Sequence, residues 1–142
     1  REFMDIYLGA SEKLKLFRDV EPIVKYFREL SFTTGILSAM EHSILNKHLE
    51  HFRISQLFDF VQGIENHYAG GKLHLGRKIL EKTGLKSEEI LFVGDTYHDY
   101  EVAKEMGCKI VLINRGHNPY EMLKSTNAPV LNSLEELKSL GL

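Results

Sequence analysis

One stretch constrains this chain more than any other: EEILFVGDTYHDYEVAKEMG, residues 88–107. Ile90, Leu91, Phe92 and Val93 run without a polar break, as a strand covered on both faces does. Gly94 predicts a tight turn, and two carboxylates, Asp95 and Asp99, follow four residues apart. Val102, Ala103 and Met106 then recur at helical spacing before Gly107, a residue suited to end a helix. Open α/β sheets bind ligands beyond the carboxyl ends of their strands. Acidic oxygens placed there suit a hard cation such as magnesium.

The rest of the chain keeps the same alternation. Helices are predicted over 19–30, with Ile23, Val24, Phe27 and Leu30 on one face, and over 41–52, with Ile44, Leu45, Leu49 and Phe52 facing inward. A third helix is expected over 72–83, stopped by Gly84. Strands are predicted over 33–38, 58–61, 90–94 and 110–114, with a last edge strand over 129–131. Asn118-Pro119 opens a short helix, and Ser133 with Glu136 forms a capping box for the C-terminal one. Strands alternating with helices imply an α/β fold, a doubly wound parallel sheet with helices on both faces.

The 142 residues suffice for one sizeable core. Glu2-Phe3 before Met4 reads as a cloning remnant, so residues 1–3 are set aside. Residues 4–18 fit the alternation worst and are expected to be a helix or a remnant of something larger, leaving 19–142 as the core domain. Net charge is −2 with scattered Lys and Arg, which gives no footprint for nucleic acid. No apolar run approaches the ~20 residues of a membrane span. Cys108 is the only cysteine, which excludes an internal disulfide and fits a reduced, cytoplasmic setting. Oligomeric state is not legible.

Further residues carry chemistry only in combination. Ser38 ends a predicted strand, where its hydroxyl and the backbone N–H of Ala39 suit a phosphate oxygen, although serine there is more often a turn or cap residue. Lys72 follows two glycines before a helix; alone it is a solvated first-turn lysine. Gly71-Lys72 is not a Walker loop, because Asn66 stands where the first glycine is needed and Leu73 where Ser or Thr is needed. His48 and His51 lack a third ligand at metal spacing, so a solvated face is the better reading. His67 and His98 are candidate substrate contacts.

Taken in order, Ser38, Lys72 and the GDxxxD of Asp95 and Asp99 resemble motifs two to four of the haloacid dehalogenase (HAD) superfamily, closest to its phosphoglycolate-phosphatase-like branch. The resemblance runs from about Phe17 to Leu142 and takes in Gly116 and His117; Leu73 departs from the proline usual in that branch. It implies an incomplete Rossmann-like core and hydrolysis of small phosphate monoesters with magnesium. Ser38, Ala39 and Lys72 would hold the phosphoryl group, and Asp95 would bind the metal. Asp99 would support the metal's water shell or orient Lys72, and Thr96 would hydrogen-bond within the loop.

The superfamily's opening motif, DxDGT, which carries the nucleophile, does not occur in these residues. Asp19-Val20-Glu21 is a poor substitute, since it reads as an acidic helix start. The chain alone is therefore expected to be inactive. Two rival readings stay open: a non-catalytic module that binds phosphate, metal or a partner, and a receiver-type domain, disfavoured because Asp95 comes late. The nucleophile strand should lie between the strands ending at Ser38 and Asp95. Three repairs of its absence are conceivable: direct pairing of the two neighbours, insertion of residues 3–8, or a strand from a second copy. Direct pairing is the expectation, with Ser38 drawn close to Asp95.

Overall fold

A computed structural model of the chain describes residues 5–10, 20–64, 77, 80, 81, 84, 86–114 and 118–140. Six strands form one sheet: β1 (Asp5–Ala10), β2 (Thr33–Glu41), β3 (Phe60–Ile64), β4 (Ile90–Gly94), β5 (Lys109–Ile113) and β6 (Val130–Leu131). The spatial order is β3-β2-β1-β4-β5-β6, and every neighbouring pair is parallel. This is the doubly wound arrangement expected, with the winding reversing between β1 and β4. The helices are α1 (Val20–Glu29), α2 (His42–His51), α3 (Tyr97–Met106) and the short α4 (Tyr120–Lys124). Arg77, Leu80 and Glu81 are also helical, inside the helix expected over 72–83.

Strand alternation sorts β4 between two cores. Leu91 and Val93 face one cluster with Ile23, Val24 and Phe27 of α1, Leu45 and Leu49 of α2, and Leu134 and Leu137 near the C-terminus. Ile90 and Phe92 face the other, with Val102, Ala103 and Met106 of α3. An uninterrupted apolar run is therefore needed, because both faces of this central strand are covered.

Four expectations are corrected. Residues 5–10 are not helical: they form β1, paired to β2 from Asp5↔Thr33 to Ala10↔Ser38 and to β4 from Asp5↔Ile90 to Leu8↔Val93. The strands of Ser38 and Asp95 therefore do not pair directly. The N-terminal segment fills the gap, because a covered sheet cannot leave two rows of backbone N–H and C=O groups without partners. Leu30 and Ile44 do not face inward, being 44% and 47% exposed. Leu30 lies past the end of α1, next to the left-handed turn at Ser31 (φ 68°). The C-terminal helix is a 3-10 helix over Leu134–Leu140. Its buried pair, Leu134 and Leu137, is three residues apart, the spacing that a 3-10 helix aligns on one face.

Candidate functional site

Register places the carboxyl ends of three strands together. Ser38 lies opposite Ala10, while Leu8 lies opposite Val93, so Asp95 follows two residues further along the same edge. Ser38 and Asp95 thus flank the end of β1, about 9.6 Å apart if each strand spacing is ~4.8 Å. The close approach expected of direct pairing is excluded. This edge is the reversal point of the sheet, where such folds place ligands. Lys72, His67, Asp19, Gly116 and His117 lie outside the described residues.

The acid loop after β4 is built from its own hydrogen bonds. Asp99 is fully buried, and its Oδ2 accepts from the backbone N–H of Asp95 (3.0 Å) and of Thr96 (3.2 Å). Thr96 caps α3 by accepting from the N–H of Asp99 at 3.1 Å, completing a capping box. Thr96 therefore bonds within the loop, as the sequence suggested. Gly94 is required by this packing: a Cβ there would lie 2.6 Å from Asp99 Oδ2 and 2.7 Å from its Cγ. The N–H of Tyr97 donates to Asn118 Oδ1 at 2.6 Å. With these four N–H groups engaged by side chains, the loop offers acceptor oxygens rather than an anion cradle. That favours a cation.

The edge beside Ser38 differs. Ser38 is fully buried, and its hydroxyl accepts from the N–H of Met40 at 3.0 Å where the β2–β3 register shifts. β2 runs on to Glu41, beyond the strand end expected at Ser38. Glu41 caps α2, its carboxylate accepting from the N–H groups of Ser43 (3.2 Å) and Ile44 (3.0 Å). The Ser43 hydroxyl first, then these N–H groups, hold the Glu41 carboxyl below its usual range. The donors at this helix start are thus engaged by Glu41. His42 Nδ1 accepts from the N–H of Gly63 at 3.0 Å and ties α2 to the end of β3.

The donor set fits a hydrated magnesium and not a cage. Asp95 is half-buried with Oδ1 shielded from solvent, and Asp99 lies behind it. Among the described residues no group of three His, Cys, Asp or Glu side chains could hold a metal. Magnesium accepts one or two carboxylates and keeps its remaining waters. His98 is exposed at the first turn of α3. Sequence reasoning missed Asn118: an Asn before Pro signals a turn with an available side-chain oxygen, but its partner Tyr97 is 21 residues away.

A family model described as haloacid dehalogenase-like hydrolase matches residues 1–113. The chain is 28% identical over 148 residues to phosphoglycolate phosphatase of Escherichia coli (strain K12), covering 100% of this chain and 58% of that protein. It is 26% identical over 145 residues to phosphoglycolate phosphatase of Vibrio parahaemolyticus, covering 95% of this chain and 60% of the relative. The chain thus spans about three fifths of the length of these relatives. The fold matches a haloacid dehalogenase-like hydrolase structure from Streptococcus pneumoniae with TM-score 0.82 at 19% identity, over 90% of this chain and 60% of the other. No helix of the described residues is long and apolar enough to cross a membrane.

Proposed function

The chain belongs to the haloacid dehalogenase-like hydrolase family, and from that premise we propose that it serves magnesium-dependent hydrolysis of small phosphate monoesters. The observation that carries this reading is the position of Ser38 and Asp95 on either side of β1, at the reversal point of the sheet. Similarity to phosphoglycolate phosphatases supports the substrate class. A small phosphorylated metabolite is the proposed partner, and the cytoplasm the proposed setting.

In phosphoryl transfer, charge spreads over the equatorial oxygens, so catalysis needs positioned donors and cations. Ser38 would donate its O–H to a phosphoryl oxygen while its own oxygen holds the N–H of Met40. The N–H of Ala39 and the ammonium of Lys72 would complete the phosphoryl contacts. Asp95 would hold the magnesium, with Asp99 behind it fixing the loop. When bound, the ion would offset charge on the phosphoryl oxygens.

Turnover also needs an attacking group. Gly9 and Ala10 stand at the end of β1, and DxDGT occurs nowhere in these residues. Glu21 is in the first turn of α1, 2.8 Å from Lys25, as a helix-start acid would be. The chain by itself is therefore proposed to bind phosphate without hydrolysing its esters. Assayed with magnesium and p-nitrophenyl phosphate or phosphoglycolate, it should show no turnover above background. Robust turnover abolished by Asp19→Asn would refute this and make Asp19 the attacking group.

A further inference from the structure

The acid loop is held from two directions. Asp99 and Thr96 tie it to itself, whereas Asn118 reaches it from the connection between β5 and α4. Tyr97 is the first residue of α3, and an N–H at that position has no partner inside its own helix. Asn118 Oδ1 accepts it at 2.6 Å. Asn118 is itself restricted, because it precedes Pro119, whose ring disfavours the helical region for the residue before it. Pro119 is also the N-cap of α4, at φ −61° and ψ 148°. The bond is partly buried and ties the loop after β4 to Asn118, just before α4. Asp95 lies two residues before Tyr97, so any shift of the helix start moves its carboxylate.

We propose that Asn118 is a positioning residue for a divalent cation at Asp95. It acts through the Tyr97 N–H, aiming the acid loop without touching the ion. The inference rests on the magnesium reading above. Groups hydrogen-bonded to a metal ligand itself are worth about 10–100-fold in affinity, and Asn118, acting one step further out, belongs at the low end of that range. Mere stabilisation of the fold would instead shift global stability and leave the affinity of the folded protein unchanged.

The test compares wild type, Asn118→Ala and Asn118→Asp. Manganese affinity is read by paramagnetic relaxation, and exchange of the Tyr97 amide by NMR without metal. Asn118→Asp keeps an oxygen acceptor in place, so it should keep both the slow Tyr97 amide and tight binding. Asn118→Ala should speed Tyr97 exchange selectively and weaken manganese binding by about tenfold. Equal affinity in wild type and Asn118→Ala overturns the proposal. So does tight binding by Asn118→Asp with a fast Tyr97 amide, which would be charge alone. Should wild type bind no manganese, the metal reading falls and the positioning role with it. Binding that is lost in Asp95→Asn yet indifferent to Asn118 sinks only the latter. If Asn118→Ala does not fold, the Asn118→Asp arm decides alone.

Discussion

Asp99 shows how a fully buried side chain can shape a loop from behind. Its Oδ2 accepts two loop N–H groups from full burial, and Gly94 lacks a Cβ so that it can sit there. The residue types were legible, since GD and a second carboxylate four residues on define the turn and the helix start. That Asp99 turns inward to hold the N–H groups of Asp95 and Thr96 was not, because it depends on how the turn folds. Cys108 carries a residue-scale prediction. Burial pushes its thiol from 9.0 up to about 11. Below pH 9 both folded and unfolded chains hold the proton, and the contribution is fully present. Between 9.0 and about 11 the folded chain keeps a proton that the unfolded chain has lost, so stability falls as pH rises. That difference corresponds to at most about 2–3 kcal/mol. Urea unfolding of wild type should thus lose about 2 kcal/mol more than Cys108→Ala across that window. Parallel pH profiles for the two proteins would count against it.

Elements were read well where a single period governs them. β4 has the bounds expected, and α1 and α2 differ from expectation by a residue or so at each end. β2 and β3 were read too short, or begun too early, because their ends are set by long-range ties. Asp59 illustrates this: its Oδ2 accepts from the N–H of Thr34 (2.9 Å) and from Arg28 Nη1 (2.9 Å), and its own N–H donates to Thr34 O (2.7 Å). That cluster fixes α1, the start of β2 and the approach to β3 in one register. Arg28 is partly exposed, and an ion pair of that kind contributes little, so Arg28→Ala should cost about 1 kcal/mol or less. Removing Asp59 leaves the Thr34 N–H without its acceptor beside a fully buried side chain, at about 1–3 kcal/mol. Asp59→Ala should therefore exceed Arg28→Ala in chemical denaturation. The reverse order would mean that the guanidinium, not the carboxylate, holds the cluster.

At the scale of the whole molecule, the sequence determined the class and missed the centre. Alternating patterns specify a parallel sheet, yet nothing in DIYLGA announces the strand that receives pairing from both sides. Its short length and the acid Asp5 in a covered strand count against it as the filler of the gap, and the demand for paired backbone overrides both. β1 pairs with both β2 and β4, so the backbone ladder between the two halves of the sheet runs through those six residues. Deleting residues 1–10 would leave facing rows of N–H and C=O groups on β2 and β4, each costing about 1 kcal/mol or more when buried. Summed over a strand, that rivals the roughly 5–15 kcal/mol by which domains are stable. The shortened chain should accordingly lose cooperative unfolding. Tyr7→Pro offers a milder form, since a central proline deletes a ladder donor and leaves its acceptor unsatisfied, at about 1–3 kcal/mol. Amide exchange gives the third reading: the N–H groups of Ile6, Tyr7 and Leu8 should exchange only through global unfolding, as the core of β4 does. A deletion variant with an undiminished transition, or β1 amides that exchange far faster than those of β4, would mean that β2 and β4 can close on each other. Ser38 would then approach Asp95 directly, and the phosphate site proposed on either side of β1 would have no room to form.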